Sequence, residues 1–577
     1  MSLIDHQRRN ILMRYIHFFR GFLLNLVLLA LIPFPAKTQT TELSSNTDQL
    51  LEYQQQIHVN FLKQHLSVLA HDSLAGRETG TEGQKIAAKY LARQYEQMGL
   101  TAMGDEGSYF QNFELSAVQR DSTVFKLYDG GGLVDHSVES QNATGNFIRA
   151  FGGADSLSGN IIFAGFGIND PANGVIHLGD MKLEGKWVLV FQQIPHIVEG
   201  DTLIDTAING NERFRSIIQK GAEGVLIIAP MKENEFEASA QQMAQLSYAE
   251  PQQLSLTYLN ENSVAELPQG YNTIKPSLAA DILGIPGGIN SLEEYRQELI
   301  RNITEFSPTA TGYSLSHTPH TSRYTVDTEN VVAMMEGSDP QLKDEVVVLT
   351  SHYDHVGIGQ PDSTGDTIYN GADDDGSGTV ALLNIAKAIN EAKADGYAPK
   401  RSILFLHVSA EEIGLLGSRY YSDHPVIPMD KTVANINIDM IGRIDPEHEK
   451  EGISRYAYII GSELISSELD SLLKTANAQS GQIELDKTYN DLNDPNQFYR
   501  RSDHWNFGRL RVPFIFFFSG VHEDYHRPSD EIHKIRFDKM ADIIQTIYAT
   551  TVVVANEETP PEVDNEAFID ITKTTPK

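Results

Sequence analysis

Apolar residues recur along this chain at different periods, and the changes of period mark out its organisation. From about residue 62 to residue 100 the spacing is helical. In "GQKIAAKYLARQYEQMGL" the residues Ile86, Tyr90, Leu91, Tyr95 and Met98 share one stripe, and Gly99 stands where a helix C-terminus is expected. The preceding "LAGRETGTEG" is polar and rich in Gly and Thr, a loop pattern. Farther on, "GNIIFAGFG", "GKWVLVF" and "GAEGVLIIAP" are short, β-branched and bounded by glycine. They predict a small strand-rich domain over about 125–290, with a helix at "RFRSIIQK". The Gln-rich "EFEASAQQMAQLSYAEPQQ" predicts a mobile loop or irregular helix.

From about Tyr324 onward, near-continuous apolar strands alternate with helical stretches. The strands are "ENVVAMMEG", "EVVVLTSHYD", "SILFLHVSAEE", "ANINIDMIG", "YAYIIGS" and "VPFIFFFSG"; the helices include "GTVALLNIAKAINEA" and "SSELDSLLKTANA". This alternation predicts an α/β fold with a mostly parallel sheet sandwiched by helices, since only a sheet covered on both faces uses strands apolar throughout. Residues 556–577 are acidic and contain proline, which predicts a loose tail. No internal repeat is visible at solenoid spacing.

The N-terminus has another character. Arg8, Arg9, Arg14 and Arg20 precede an apolar run from Phe22 to Phe34, followed by "PAKT". The order matches a secretory signal peptide, residues 1–36, cleaved near Ala36; an uncleaved anchor is the alternative. No second apolar segment is long enough to span a bilayer, so no integral span is expected after cleavage. The 577 residues exceed one ordinary core and predict two or three domains. The 78 acidic residues against 45 basic give a net charge of -33, which repels nucleic acid and attracts cations. Cysteine is absent, so disulfides, thiolate nucleophiles, a lipid-bearing cysteine and Cys-held zinc are excluded.

Chemistry concentrates just beyond the strands, where such sheets place functional residues. His352, Asp354 and His355 follow "EVVVLTS", Glu411 and Glu412 follow "SILFLHVSA", and Asp439 follows "NINI". His522 and His526 follow "VPFIFFFSG", and Asp373, Asp374 and Asp375 lie at a loop-to-helix junction. A capped turn accounts for one aspartate, a solvated helix start for "EE" and a surface position for any single histidine. The whole set, converging on one sheet edge without a Lys or Arg run, calls for divalent cations held by nitrogen and carboxylate oxygen. Zinc suits those ligands, with Mn or Co as alternatives. The EF-hand spacing fails after "DDDGSG".

The ordered motifs "SHYDHVG", "NGADDDGSG", "SAEEIGLLGS", "NIDMIG" and "DYHRPSD" resemble the M28 metallopeptidase family of zinc exopeptidases. Upstream, "LAGRETGTEGQKIAAKYLARQYEQMGL" resembles the opening of that peptidase domain, and "GKWVLVF" with "KGAEGVLIIAP" resembles an inserted protease-associated domain. The resemblance implies a peptidase domain over 60–124 and 320–555, interrupted by the insertion at 125–290. It implies that His352 binds one zinc, that Asp354 orients it, and that Asp374, three residues before Ser377, bridges two zinc ions. Glu411 corresponds to the general base and Glu412 to a terminal ligand of one zinc. Asp439 and His526 correspond to the carboxylate and histidine of the other. Tyr525 matches an oxyanion-binding tyrosine of some members.

The implied protein is an exported dizinc aminopeptidase acting on peptides in the periplasm or outside the cell. A carboxypeptidase or dipeptidase on the same site, a glutaminyl cyclase-like acyltransferase, and a binding protein that has lost its site are the alternatives. His355, His504 and His522 are expected to line the pocket or serve structure, and His407, mid-strand in "LFLHVS", to be a satisfied core histidine.

Overall fold

The computed structural model describes residues 46–151, 156–198, 201–248, 253–262, 270–286 and 289–573. The chain divides into Met1–Asp48, of which only 46–48 are described, and Gln49–Lys577. The expected signal peptide lies outside the described residues. Among those described, no helix is long and apolar enough to cross a membrane.

Within Gln49–Lys577 the first long helices are α1 (Val59–Leu69) and α2 (Glu82–Met98). Thr81 caps α2 by accepting from the Gln84 N–H, and Gly99 closes it in the left-handed conformation at φ 72°. The buried face differs from the expected stripe. Ala87, Ala88, Leu91, Ala92 and Tyr95 are buried, whereas Ile86 is 41% exposed. The buried alanines share one core with Val331 and Ala333.

Two long strands follow. β1 spans Phe110–Asp129 and pairs with β2, Gly132–Ser140. Then come β3 (Phe147–Phe151), β4 (Leu157–Phe163), β5 (Lys186–Phe191), α3 (Gly210–Gln219), β6 (Gly224–Ile228), α4 (Glu233–Tyr248) and β7 (Gly270–Ile274). The Gln-rich segment expected to be a loop or irregular helix is α4, a helix of 16 residues that buries Phe236, Ala240, Ala244 and Tyr248 at helical spacing. Its apolar face is narrow, which left the period hard to see.

β8 runs for 27 residues, Thr309–Met335, far longer than the expected strand "ENVVAMMEG". Polar residues such as Thr318, Ser322 and Thr325 break its apolar run, but β1 lies antiparallel along it and supplies their backbone partners. Beyond it come β9 (Val346–His352), α5 (Gly376–Ala394), β10 (Ser402–Val408), β11 (Thr432–Ile438) and β12 (Tyr456–Gly461). The remainder comprises α6 (Ser467–Ala478), β13 (Glu484–Asp486), β14 (Phe514–Phe518) and α7 (Phe537–Asn556).

One sheet runs in the order β13-β12-β14-β11-β9-β10-β8-β4-β5-β6-β7-β3. β14, β11, β9 and β10 are mutually parallel, as are β4, β5, β6 and β7. β8 is antiparallel to both neighbours, pairing with β4 near its start and β10 near its end, so it carries the sheet from one parallel set to the other. The architecture is the expected α/β sandwich. The C-terminal segment is not loose where described: Glu566–Thr572 is helical, and Phe568, fully buried, packs with Ile465 and Phe514.

Candidate metal centre

Register brings the chemistry together. His352, the last residue of β9, lies opposite Val408, the last of β10, while Thr350 is level with Asn437 of β11 and Ile438 with Phe517 of β14. Four parallel strands therefore end at one edge, and their next residues enter one cleft. Three non-glycine residues there, Ala410, Met440 and His526, hold left-handed φ values of 59°, 56° and 52°. The first two turn the chain immediately before Glu411 and after Asp439; such strain clusters where side chains are aimed at a task.

Asp374 sits at the centre. Its Oδ1 is 3.1 Å from His352 Nε2, and its Oδ2 is 3.1 Å from His526 Nε2. Burial pushes its carboxyl up, but these histidine hydrogen bonds prevail and hold it well below the ordinary range. Asp439 Oδ1 approaches His352 Nε2 to 3.6 Å, while Glu412 Oε2 lies 3.0 Å from His526 Nε2. Two histidine–carboxylate pairs thus share one aspartate. The pairing corrects the one implied by resemblance: His526 goes with Glu412, and Asp439 goes with His352. Strand adjacency explains it, since β9 and β11 are neighbours and deliver His352 and Asp439 side by side.

The other two aspartates face elsewhere. Asp375 caps α5 by accepting from the Gly378 N–H at 2.9 Å, and also accepts from the backbone N–H groups of His352 and Met440. Asp373 accepts from the Gly442 N–H at 2.6 Å, with His522 Nε2 at 3.3 Å from its other oxygen. His522 therefore serves the loop framework, a role left open by the sequence.

Glu411 is within 3.9 Å of His352 Nε2, and burial pushes its carboxyl well above the ordinary value. Asp354 accepts from the Glu411 N–H at 3.3 Å and from Thr79 Oγ1 at 2.8 Å. His352 Nδ1 lies 3.1 Å from the carbonyl of Asp354, nearer than to its carboxylate at 3.8 Å. Tyr525 lines the same cavity, its ring stacked on His526 at 3.9 Å. His355 Nδ1 lies 2.6 Å from Glu412, inside the cluster and closer to ligand geometry than its sequence context suggests. His407 bonds to Tyr95 and Ser351, and His504 stacks on Phe516.

The cluster fits cations. Asp374, Glu411, Glu412 and Asp439 are close together, and among the described residues none has a Lys or Arg ion-pair partner. Asp439 Oδ1 and His355 Nε2 are buried polar atoms without a hydrogen bond. Orphaned acceptors in an acid-rich pocket are stabilised by positive charge. A larger cavity of about 390 Å³ lies at the carboxyl ends of β5 and β6, but no histidine lines it.

Three supporting residues received no role from the sequence, although Arg77 lies in "LAGRETGTEG" and Asp530 ends "DYHRPSD". Arg77 is buried in the loop before α2, its guanidinium donating to the carbonyls of Leu69, Tyr353, Asn370 and Gly371. It ties the N-terminal segment to both the His352 loop and the aspartate triplet. Ser502 donates to Asp439 Oδ2 at 2.8 Å and accepts from Asn437 Nδ2, while Asp530 accepts from the Asp373 and Asp374 N–H groups. A lone arginine, serine or aspartate in a polar loop has no distinguishing pattern of its own.

Residues 330–551 match the family model for peptidase family M28. Over 202 residues the chain is 32% identical to a probable leucine aminopeptidase 2 of Aspergillus oryzae, covering 34% of each. Over 115 residues it is 31% identical to aminopeptidase YwaD of Bacillus subtilis, covering 20% of this chain and 22% of that one. The matched stretch of the first of these relatives is thus 34% of its length. A solved aminopeptidase from Aneurinibacillus sp. strain AM-1 aligns over 90% of this chain and 98% of its own, at 16% identity and a TM-score of 0.43.

Proposed function

From the match of residues 330–551 to the family model for peptidase family M28, we propose that the protein is a dizinc exopeptidase releasing N-terminal residues from peptides. The observation that carries the reading is Asp374, 3.1 Å from both His352 and His526. A carboxylate so placed could serve both histidine sites if each held a cation. His352, Asp374 and Asp439 would hold one zinc in this reading, and Asp374, Glu412 and His526 the other. When bound, the ions supply positive charge that polarises a scissile carbonyl and acidifies water.

The chain's own groups carry the proton. Glu411, its carboxyl raised by burial, accepts a proton from the attacking water and returns it to the leaving amine. Asp354 fixes the Glu411 backbone, and Ser502 fixes Asp439. The aminopeptidase polarity draws support from the names of the relatives, among them leucine aminopeptidase 2 and aminopeptidase YwaD. We also infer that residues 125–290 are a protease-associated-like insertion and that the chain is exported after loss of residues 1–36.

The test is hydrolysis of free and N-blocked dipeptides by zinc-replete protein, read by mass spectrometry. Peptides with a free amine are expected to lose their first residue, chelation to stop the reaction and zinc to restore it. Glu411→Gln is expected to lower kcat by roughly 10²–10⁴-fold with zinc content unchanged. Equal cleavage of N-blocked peptides would overturn the polarity, and activity insensitive to chelation would overturn the metal reading.

A further inference from the structure

The cleft that holds Glu411 and Asp439 is also lined by Arg501. Arg501 is exposed, its guanidinium lies 5.0 Å from the centroid of the Phe498 ring, and it has no carboxylate partner among the described residues. In a chain with 78 acidic residues against 45 basic, a free cation at the edge of an acid-floored cleft is unusual. Solvation alone does not account for its place on an aromatic ring beside the reacting groups.

We propose that Arg501 receives the free C-terminal carboxylate of a short peptide substrate, so that the enzyme favours di- and tripeptides over longer chains. This rests on the peptidase reading and deepens it. The wall next to Arg501 is formed by Met440, Phe498, Phe516, Phe518 and Val521. That wall suits an apolar side chain; an acidic one would lose its hydration against the rings. The anion for Arg501 therefore comes from beyond the wall, at the rim. An extended chain advances about 3.3–3.6 Å per residue, so the terminal carboxylate of a di- or tripeptide lies one or two residues past the scissile bond. A guanidinium fork matches a carboxylate with two parallel hydrogen bonds, an arrangement that lysine does not reproduce.

The experiment compares wild type, Arg501→Gln and Arg501→Lys, all zinc-replete, on Leu-Leu, Leu-Leu-amide and Glu-p-nitroanilide. For Arg501→Gln the Leu-Leu to Leu-Leu-amide ratio of kcat/KM is expected to fall about tenfold, the effect of losing one charged contact. The change should appear in KM for Leu-Leu, with Arg501→Lys intermediate. An unchanged ratio in Arg501→Gln, with wild type active, overturns this inference alone. So does a selective loss on Glu-p-nitroanilide, which would assign Arg501 to an acidic side chain. A zinc-replete wild type that leaves all three substrates intact overturns the peptidase reading and takes this inference with it.

Discussion

Asp373, Asp374 and Asp375 are chemically identical and adjacent, yet each faces a different partner set. Asp375 accepts from three backbone N–H groups, and Asp373 is held by the Gly442 N–H and His522. Only Asp374 lies between the two histidines. Replacement of Asp374 by Asn is therefore expected to lower zinc content measured by elemental analysis, with a smaller effect on the fold. Asp375→Asn is expected to act on stability instead, costing about 1–3 kcal/mol through weakened acceptance from buried donors, read by denaturant unfolding. Equal loss of zinc in both variants would contradict the separate roles. The triplet's position before an apolar helix was visible in the sequence, and resemblance to the M28 family, not spacing itself, singled out its middle member. The cap that Asp375 makes to Gly378 is local, but the partners of Asp373 were not visible, because Gly442 and His522 are 69 and 149 residues away from it along the chain.

At the scale of elements, the cleft is made by strand ends that agree in register and by loops pinned from outside. Arg77 does much of the pinning, since its four carbonyl partners belong to α1, the loop after β9 and the loop before α5. Lysine is shorter in donor reach and cannot span that set. Arg77→Lys is expected to cost on the order of 3 kcal/mol, from buried carbonyls left without donors, and to lower the denaturation midpoint. A midpoint within error of wild type would show that water replaces the guanidinium. A second clamp comes from residues 253–262, which lie between α4 and β7. Leu256 packs with Phe113, Leu115 and Ala410, Gln253 donates to the Ile413 carbonyl, and the Tyr258 hydroxyl donates to Asp423. This segment thus touches the loop that carries Glu411 and Glu412. The strands and helices of the C-terminal half follow from their periods, whereas α4 and β8 do not. α4 has too narrow an apolar face, and β8 draws its stability from pairing with β1, which local sequence does not encode.

Across the whole molecule, buried ionisable groups set the response to pH. Burial lowers His407 from 6.5 to about 3 and also lowers His504 to about 3. A histidine held neutral in the fold binds fewer protons than the unfolded chain between its two values. Its contribution to stability is therefore present above about pH 6.5 and is lost as pH falls toward 3. Asp503 and Asp530 act in the opposite direction, since burial raises them to about 7 and about 6, and protonation on acidification relieves their cost. The net slope is a difference between these sets. His407→Gln keeps polar atoms for Tyr95 and Ser351 but cannot titrate. It is expected to lose less stability than wild type between pH 6.5 and pH 4.5, measured by urea unfolding. Parallel curves for the two proteins would show that His407 does not contribute.

By itself the sequence determined the α/β class, the kinds of ligand available and the strand ends from which they come. Those follow from local period and from the lack of cysteine, while the choice of Asp374 among its neighbours came from resemblance to a family. Tertiary structure alone decided which histidine stands beside which carboxylate, that His355 enters the cluster, and that Arg77 and Ser502 hold it in place. These contacts join residues from different strands and loops, and the order of strands in a sheet is set by long-range pairing that no local spacing records.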